Sequence, residues 1–169
     1  MDYGMIGKIE KARFYAREPE RITFSSLTVE FAGDNNTYTV LLTPEGWSCT
    51  CPGYHAHNLC PHIMALEMIF KPMIKRPPLP YGPGQNVVSD VEKANRYAQE
   101  TDRIRVLAFD ASFQGDNDDH RITFADGDFD CTCAFFHSRH VCGHSMALEK
   151  LLGKMIVVNQ QSPMTAAAE

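Results

Sequence analysis

The stretch at residues 47–67, WSCTCPGYHAHNLCPHIMALE, returns 82 residues later at 129–149 as FDCTCAFFHSRHVCGHSMALE. Both copies follow one spacing: C-x-C, eight residues, C-x-H. It selects Cys49, Cys51, Cys60 and His62 in the first copy, and Cys131, Cys133, Cys142 and His144 in the second. All six cysteines of the chain fall inside this pattern, so none is left over. Three thiolates and one imidazole make a complete tetrahedral set for zinc, the composition of a structural site. Residues i and i+2 of a strand share a face, so Cys49 and Cys51 are expected to look inward with Trp47. Their Cα atoms would be ~6.6 Å apart at the strand rise, while zinc–sulfur bonds are only ~2.3 Å long. The side chains must therefore converge, and Pro52 is placed to bend the chain there. Cys60 and His62 are assigned to the first turn of a helix, whose positive end favours a thiolate.

The repeat extends well beyond the cysteines. With a shift of 82 and no gap, residues 11–74 match 93–156 at 23 of 64 positions. Lys11-Ala12 meets Lys93-Ala94, Tyr15-Ala16 meets Tyr97-Ala98, and Gly33-Asp34-Asn35 meets Gly115-Asp116-Asn117. A repeated unit of this length is one folding module used twice. Each copy opens with an amphipathic helix; in the second, Val91, Ala94, Tyr97 and Ala98 share a face, and Ser89 and Glu92 have capping-box spacing. Gly7 stands where Ser89 does, which leaves the first start less well specified. Ile22 and Phe24, then Leu27, Val29 and Phe31, alternate with polar residues as in a strand. Gly33–Asn36 reads as a hairpin turn, because Gly and Asn tolerate positive φ. A second strand is expected at Thr37–Leu42, a third at Trp47–Cys51, and a closing helix from Pro61, stopped by Pro72 in one copy and Gly153 in the other. The expected fold is α+β: two tandem α-β-β-β-α modules, each a small antiparallel sheet pinned by zinc to a C-terminal helix.

The boundaries follow from composition. The first module covers 1–74 and the second 88–157. A Pro/Gly-rich linker at 75–87, containing KRPPLPYGPG, should be stiff and extended, and Pro77 to Pro80 has PxxP spacing. A flexible tail is expected at 158–169. A module of about 75 residues has a marginal core, so the metal is expected to be required for the fold.

C-x-C-x8-C-x-H, after a strand and ahead of an apolar helix, resembles the SWIM zinc finger. That family occurs in chromatin-remodelling ATPases, plant transposases, recombination regulators and ubiquitin-linked kinases. The resemblance implies a zinc-stabilised module for binding DNA or protein, with Zn2+ as cofactor, two per chain. None of those enzymes' catalytic domains is in this sequence.

The remaining chemistry-bearing residues are weighed against plainer roles. His55 and His57, or His137 and His140, would become ligands only by displacing a cysteine; hydrogen-bonded loop histidines fit better. Tyr54, His55, Phe135, Phe136 and His137 are partner-binding candidates on the loops 52–59 and 134–141, with packing on the helix as the plainer alternative for the aromatics. Asp126–Asp130 begins like a calcium loop but has Cys131 and His137 at the positions needing glycine and glutamate. No phosphate-binding loop or nucleophile elbow is present, so no catalytic residues are assigned. The formal charge is −5; by count, residues 1–75 carry 7 basic and 8 acidic side chains and residues 76–169 carry 9 and 13. Each filled Cys3His site would add one further negative unit. That balance disfavours bulk electrostatic attraction to nucleic acid and puts a protein partner first. Nucleic-acid binding through Lys8, Lys11, Arg13, Arg17 and Arg21 with the first zinc loop is the alternative. No small-molecule substrate is expected, nor a membrane span or signal peptide, and reduced cysteines suit the cytoplasm.

Overall fold

A computed structural model describes residues 3–159, so the assigned tail lies outside it from residue 160 onward. The first repeat contains α1 (Tyr3–Tyr15), β1 (Ile22–Ala32), β2 (Thr37–Thr43), β3 (Gly46–Cys49), α2 (Pro52–His57) and α3 (Pro61–Ile69). The second contains α4 (Val87–Gln99), β4 (Ile104–Gln114), β5 (Asp119–Ala125), β6 (Asp128–Cys131), α5 (Ala134–Arg139) and α6 (Gly143–Leu152). The α+β class holds. The expected loops at 52–59 and 134–141 contain the short helices α2 and α5, each closed by a left-handed residue, Asn58 (φ 61°) and His140 (φ 59°). The third strand ends at Cys49 rather than Cys51, because Cys51 turns to cap α2. α4 is capped by the Asn86 side chain, not by Ser89, whose N–H it accepts at 3.2 Å.

The two small sheets anticipated are a single antiparallel sheet of six strands in the order β3-β2-β1-β4-β5-β6. The join is self-complementary. Leu27 pairs with Phe109, its own counterpart 82 residues on, and Ile22–Phe113 is mirrored by Phe31–Ile104. A pseudo-two-fold axis therefore passes between β1 and β4, the arrangement of a symmetric dimer interface within one chain. The register slips between Phe24 and Ser26 and again between Thr28 and Val29. A bulge of this kind flips the facing of the residues beyond it. That is why Ile22 and Phe24 share the buried side with Leu27, Val29 and Phe31 despite the break in odd–even phase.

The helices cross over this axis. α1 packs on α6 of the other repeat, and α4 packs on α3. Ala12 and Tyr15 are the buried residues of α1, Ala94 and Tyr97 those of α4. The core is consequently one continuous cluster spanning both repeats. The linker lies against the first repeat: Arg76 donates to the carbonyls of Thr43 (2.8 Å) and Pro44 (3.1 Å), and the Leu79 N–H donates to Glu67 (3.4 Å). Asn159, placed in the tail by composition, is pinned to the β5–β6 turn; its N–H donates to Gly127 O (2.8 Å) and its side chain to Asp126 O (2.9 Å).

Candidate metal centres

Each ligand set is assembled from three backbone features. Cys49 ends β3, Cys51 caps α2 and Cys60 caps α3, with His62 in the first turn of α3. Cys131, Cys133, Cys142 and His144 occupy the same places on β6, α5 and α6. Capping brings the thiols onto free backbone N–H groups: Cys51 Sγ accepts from Tyr54 N at 3.4 Å, Cys60 Sγ from Ile63 N at 3.5 Å, and Cys142 Sγ from Ser145 N at 3.3 Å. Such N–H donors favour a thiolate. Pro52 and Pro61 occupy the first helical positions, where no N–H is needed.

The donor atoms of each set lie within 4.8 Å of one another. His62 Nδ1 is 3.8 Å from Cys49 Sγ, and His144 Nδ1 is 3.7 Å from both Cys131 Sγ and Cys142 Sγ. A tetrahedron with ~2.3 Å zinc–sulfur and ~2.05 Å zinc–nitrogen bonds has sulfur–nitrogen edges of about 3.6 Å. The residues present therefore fit zinc, with Nδ1 as the ligand nitrogen. The thiols also share charge unequally. Hydrogen bonds from Cys49 and Cys60 hold Cys51 far below the ordinary thiol value, while Cys49, donating to Cys51, is pushed up to about 11. In the second set, Cys142 accepts from Cys131 and is brought down to about 3; burial raises Cys133. A dication relieves this crowding by letting all three ionise.

The histidine rings are held by aromatic packing from across the pseudo-two-fold. Tyr97 of α4 stacks on His62 of the first repeat at 5.5 Å and 15°; Tyr15 of α1 stacks on His144 of the second at 5.6 Å and 15°. Each tyrosine hydroxyl then accepts a turn N–H beside that same histidine, Asp34 (3.1 Å) for Tyr97 and Asp116 (3.2 Å) for Tyr15. Charges close the joint. Arg96 and Arg103 pair with Asp34 at 2.7 and 3.2 Å, and Lys11 and Arg21 with Asp116 at 3.2 and 3.3 Å. Arg96 holds the Asp34 carboxyl down at about 2. The buried outer nitrogen of His62 has no hydrogen-bond partner among the described residues, where a ligating histidine ordinarily donates to a carboxylate or carbonyl. A Cβ on Gly33 would come 3.2 Å from that nitrogen and 3.1 Å from Asn36 O. Gly33 thus serves close approach, not the positive φ expected of it; positive φ among the described non-glycine residues falls at Asn58, Asp126 and His140.

The other candidates are scattered by the fold. Phe136 is buried at 6% exposure, so packing, not partner contact, is its role. Phe135 lies between Lys8 (5.1 Å) and Arg139 (5.5 Å), and the half-buried Tyr54 donates its hydroxyl to Trp47 O (3.1 Å). His55 and His137 are exposed on α2 and α5, and the donor sets include neither. His57 Nδ1 stands 3.1 Å from Pro83 O in the linker, and His140 caps α5. Of the five N-terminal cations, Lys11 and Arg21 face Asp116 and Lys8 faces Phe135, leaving Arg13 and Arg17 exposed beside Glu10 and Phe14. Reading each repeat alone missed Tyr15 and Tyr97; their identity at matched positions beside Gly-Asp-Asn was the available signal.

The family model of the SWIM zinc finger matches this chain twice, at residues 38–68 and 120–153. Each match spans the strand pair, all four ligands and most of the helix beyond them, so the chain carries two SWIM zinc fingers in tandem. No curated protein and no solved structure matches the chain. No helix among the described residues is long and apolar enough to cross a membrane.

Proposed function

We propose that this chain is a non-enzymatic adaptor or accessory subunit, holding one zinc ion in each finger as a structural ion and docking another protein. The observation that carries the reading is the use of each donor set as a packing joint. Four protein donors complete a tetrahedron and leave zinc no position for water or substrate. The histidines are stacked under tyrosines from the opposite repeat, so zinc would brace the whole molecule. A protein partner is favoured over nucleic acid because Lys11 and Arg21 face Asp116 and the net charge is −5. The exposed Arg13 and Arg17 are what remains of the nucleic-acid reading. Reduced thiols suit a cytoplasmic setting. Titration of labelled DNA and RNA at two salt concentrations is the test. No saturable binding is expected; tight binding that falls steeply with salt overturns the adaptor reading.

A further inference from the structure

The six cysteines are not equally sheltered. Cys133 is the most exposed of them, at 7% against 0–4% for the three of the first centre. It borders a cleft of about 220 Å3 together with Cys142 and His144, and Lys8, Lys11 and His120 share the wall. At the first centre the same corner carries more bulk. Tyr38 stands where the cleft has His120, Pro52 where it has Ala134, and Pro61 where it has Gly143. His62 is buried there, whereas His144 is half-buried.

Hydrogen bonding separates the thiols further. Cys51, Cys60 and Cys142 each accept a backbone N–H at a helix start, but no cap hydrogen bond reaches Cys133 among the described residues. An N–H on sulfur stabilises the thiolate and lowers its nucleophilicity. With all three thiols ionised by zinc, Cys133 is therefore the stronger nucleophile as well as the more accessible one. Cys142 borders the same cleft and belongs to the same donor set, whose ligand atoms lie within 4.8 Å of one another. A short closing movement brings two such sulfurs to the ~2.05 Å of a disulfide.

We propose that Cys133 is an oxidation site for small hydroperoxides, with Cys142 as the resolving thiol, and that its modification empties the second zinc centre while the first is retained. This rests on the zinc-binding reading and adds a chemical input to it. The Cys133 thiolate attacks one oxygen of hydrogen peroxide: an S–O bond forms, the O–O bond breaks, and the departing hydroxide takes a proton from solvent. The Cys142 thiolate then attacks that sulfur; the S–S bond forms, the S–O bond breaks, and a second hydroxide is protonated to water. The two sulfurs lose two electrons and the peroxide gains them. Cys131 and His144 remain, two donors where structural zinc takes four.

The test uses the full zinc-loaded chain. Native mass spectrometry counts zinc before and after a small excess of hydrogen peroxide, quenched with catalase, and free thiols are alkylated before digestion. Two ions are expected beforehand and one afterwards, with a Cys133–Cys142 disulfide in the digest and Cys49, Cys51 and Cys60 alkylated. His120→Tyr, which copies the cover of the first centre, should slow the loss. Tyr38→His, which copies the cover of the second, should make the first centre release its ion as well. Both substitutions install a residue that the other repeat already uses, and zinc content before treatment shows that each variant has folded. Oxidation of the first set at an equal rate, a digest with Cys133 unmodified, or a His120→Tyr rate equal to that of the unaltered chain overturns the proposal. Fewer than two zinc ions before treatment would contradict the zinc reading itself, so the two failures are distinguishable.

Discussion

His62 is 5% exposed beneath Phe31, Tyr38 and Tyr97, whereas His144 borders a cleft of about 220 Å3 that reaches between Lys8, His120 and Phe135. The scaffolds of the two centres are the same: C-x-C on the strand end, two cysteine caps, a stacked tyrosine and an aspartate in the adjoining turn. The differences lie in the cover. His120 replaces Tyr38 and Gly143 replaces Pro61, removing bulk at the rim of the second centre. The comparison separates what holds a zinc site together from what controls access to it. The holding parts are repeated residue for residue, and the covering parts have drifted.

The largest effect follows from the holding parts. Cys60→Ser leaves three ligands at the first centre, and structural zinc contributes on the order of 10 kcal/mol in small metal-dependent peptides. Because α1 and α4 cross between repeats, the loss should propagate to both. Calorimetry should show one cooperative transition moved down, not one repeat melting while the other persists. Next is the stack. Tyr97→Ala should cost about 3–5 kcal/mol, as for other large buried aromatics, and Tyr97→Phe only about 1 kcal/mol for the hydroxyl bond to Asp34. Urea unfolding of the zinc-loaded protein measures both; equal losses would show that the hydroxyl, not the ring, carries the joint.

The covering parts govern smaller, kinetic effects. A chromogenic chelator should strip the second zinc before the first, and His120→Tyr should slow that step; simultaneous release would erase the distinction. The smallest effect concerns the turn. Ion pairing lowers the folded Asp34 carboxyl from 3.8 to about 2. Its stabilisation is therefore complete above the unfolded value and is lost only as pH falls through about 2. The cost of Asp34→Asn should accordingly be flat between pH 5 and 8. A slope across that range would show that the carboxyl titrates elsewhere.

Much of each centre was legible in the sequence, because metal ligands announce themselves by type and spacing. The strands were legible too, but the bulge was not read from them, although it leaves a trace in the odd–even break between Phe24 and Leu27. The joining of the sheets was not. Alternation shows which face of β1 is buried but not that its free edge will pair with β4, since backbone edge groups carry no sequence mark. The crossing of α1 and α4 was hidden for a similar reason. Ala94 and Tyr97 define an apolar face, and nothing local states which repeat covers it.

The central claim is that two Cys3His zinc centres brace one interlocked molecule. Native mass spectrometry of the purified chain, with stepwise chelation followed by circular dichroism, tests it most directly. The account predicts two zinc ions per chain and loss of cooperative structure in both repeats as they are withdrawn. A chain that stays folded with no metal bound would contradict it.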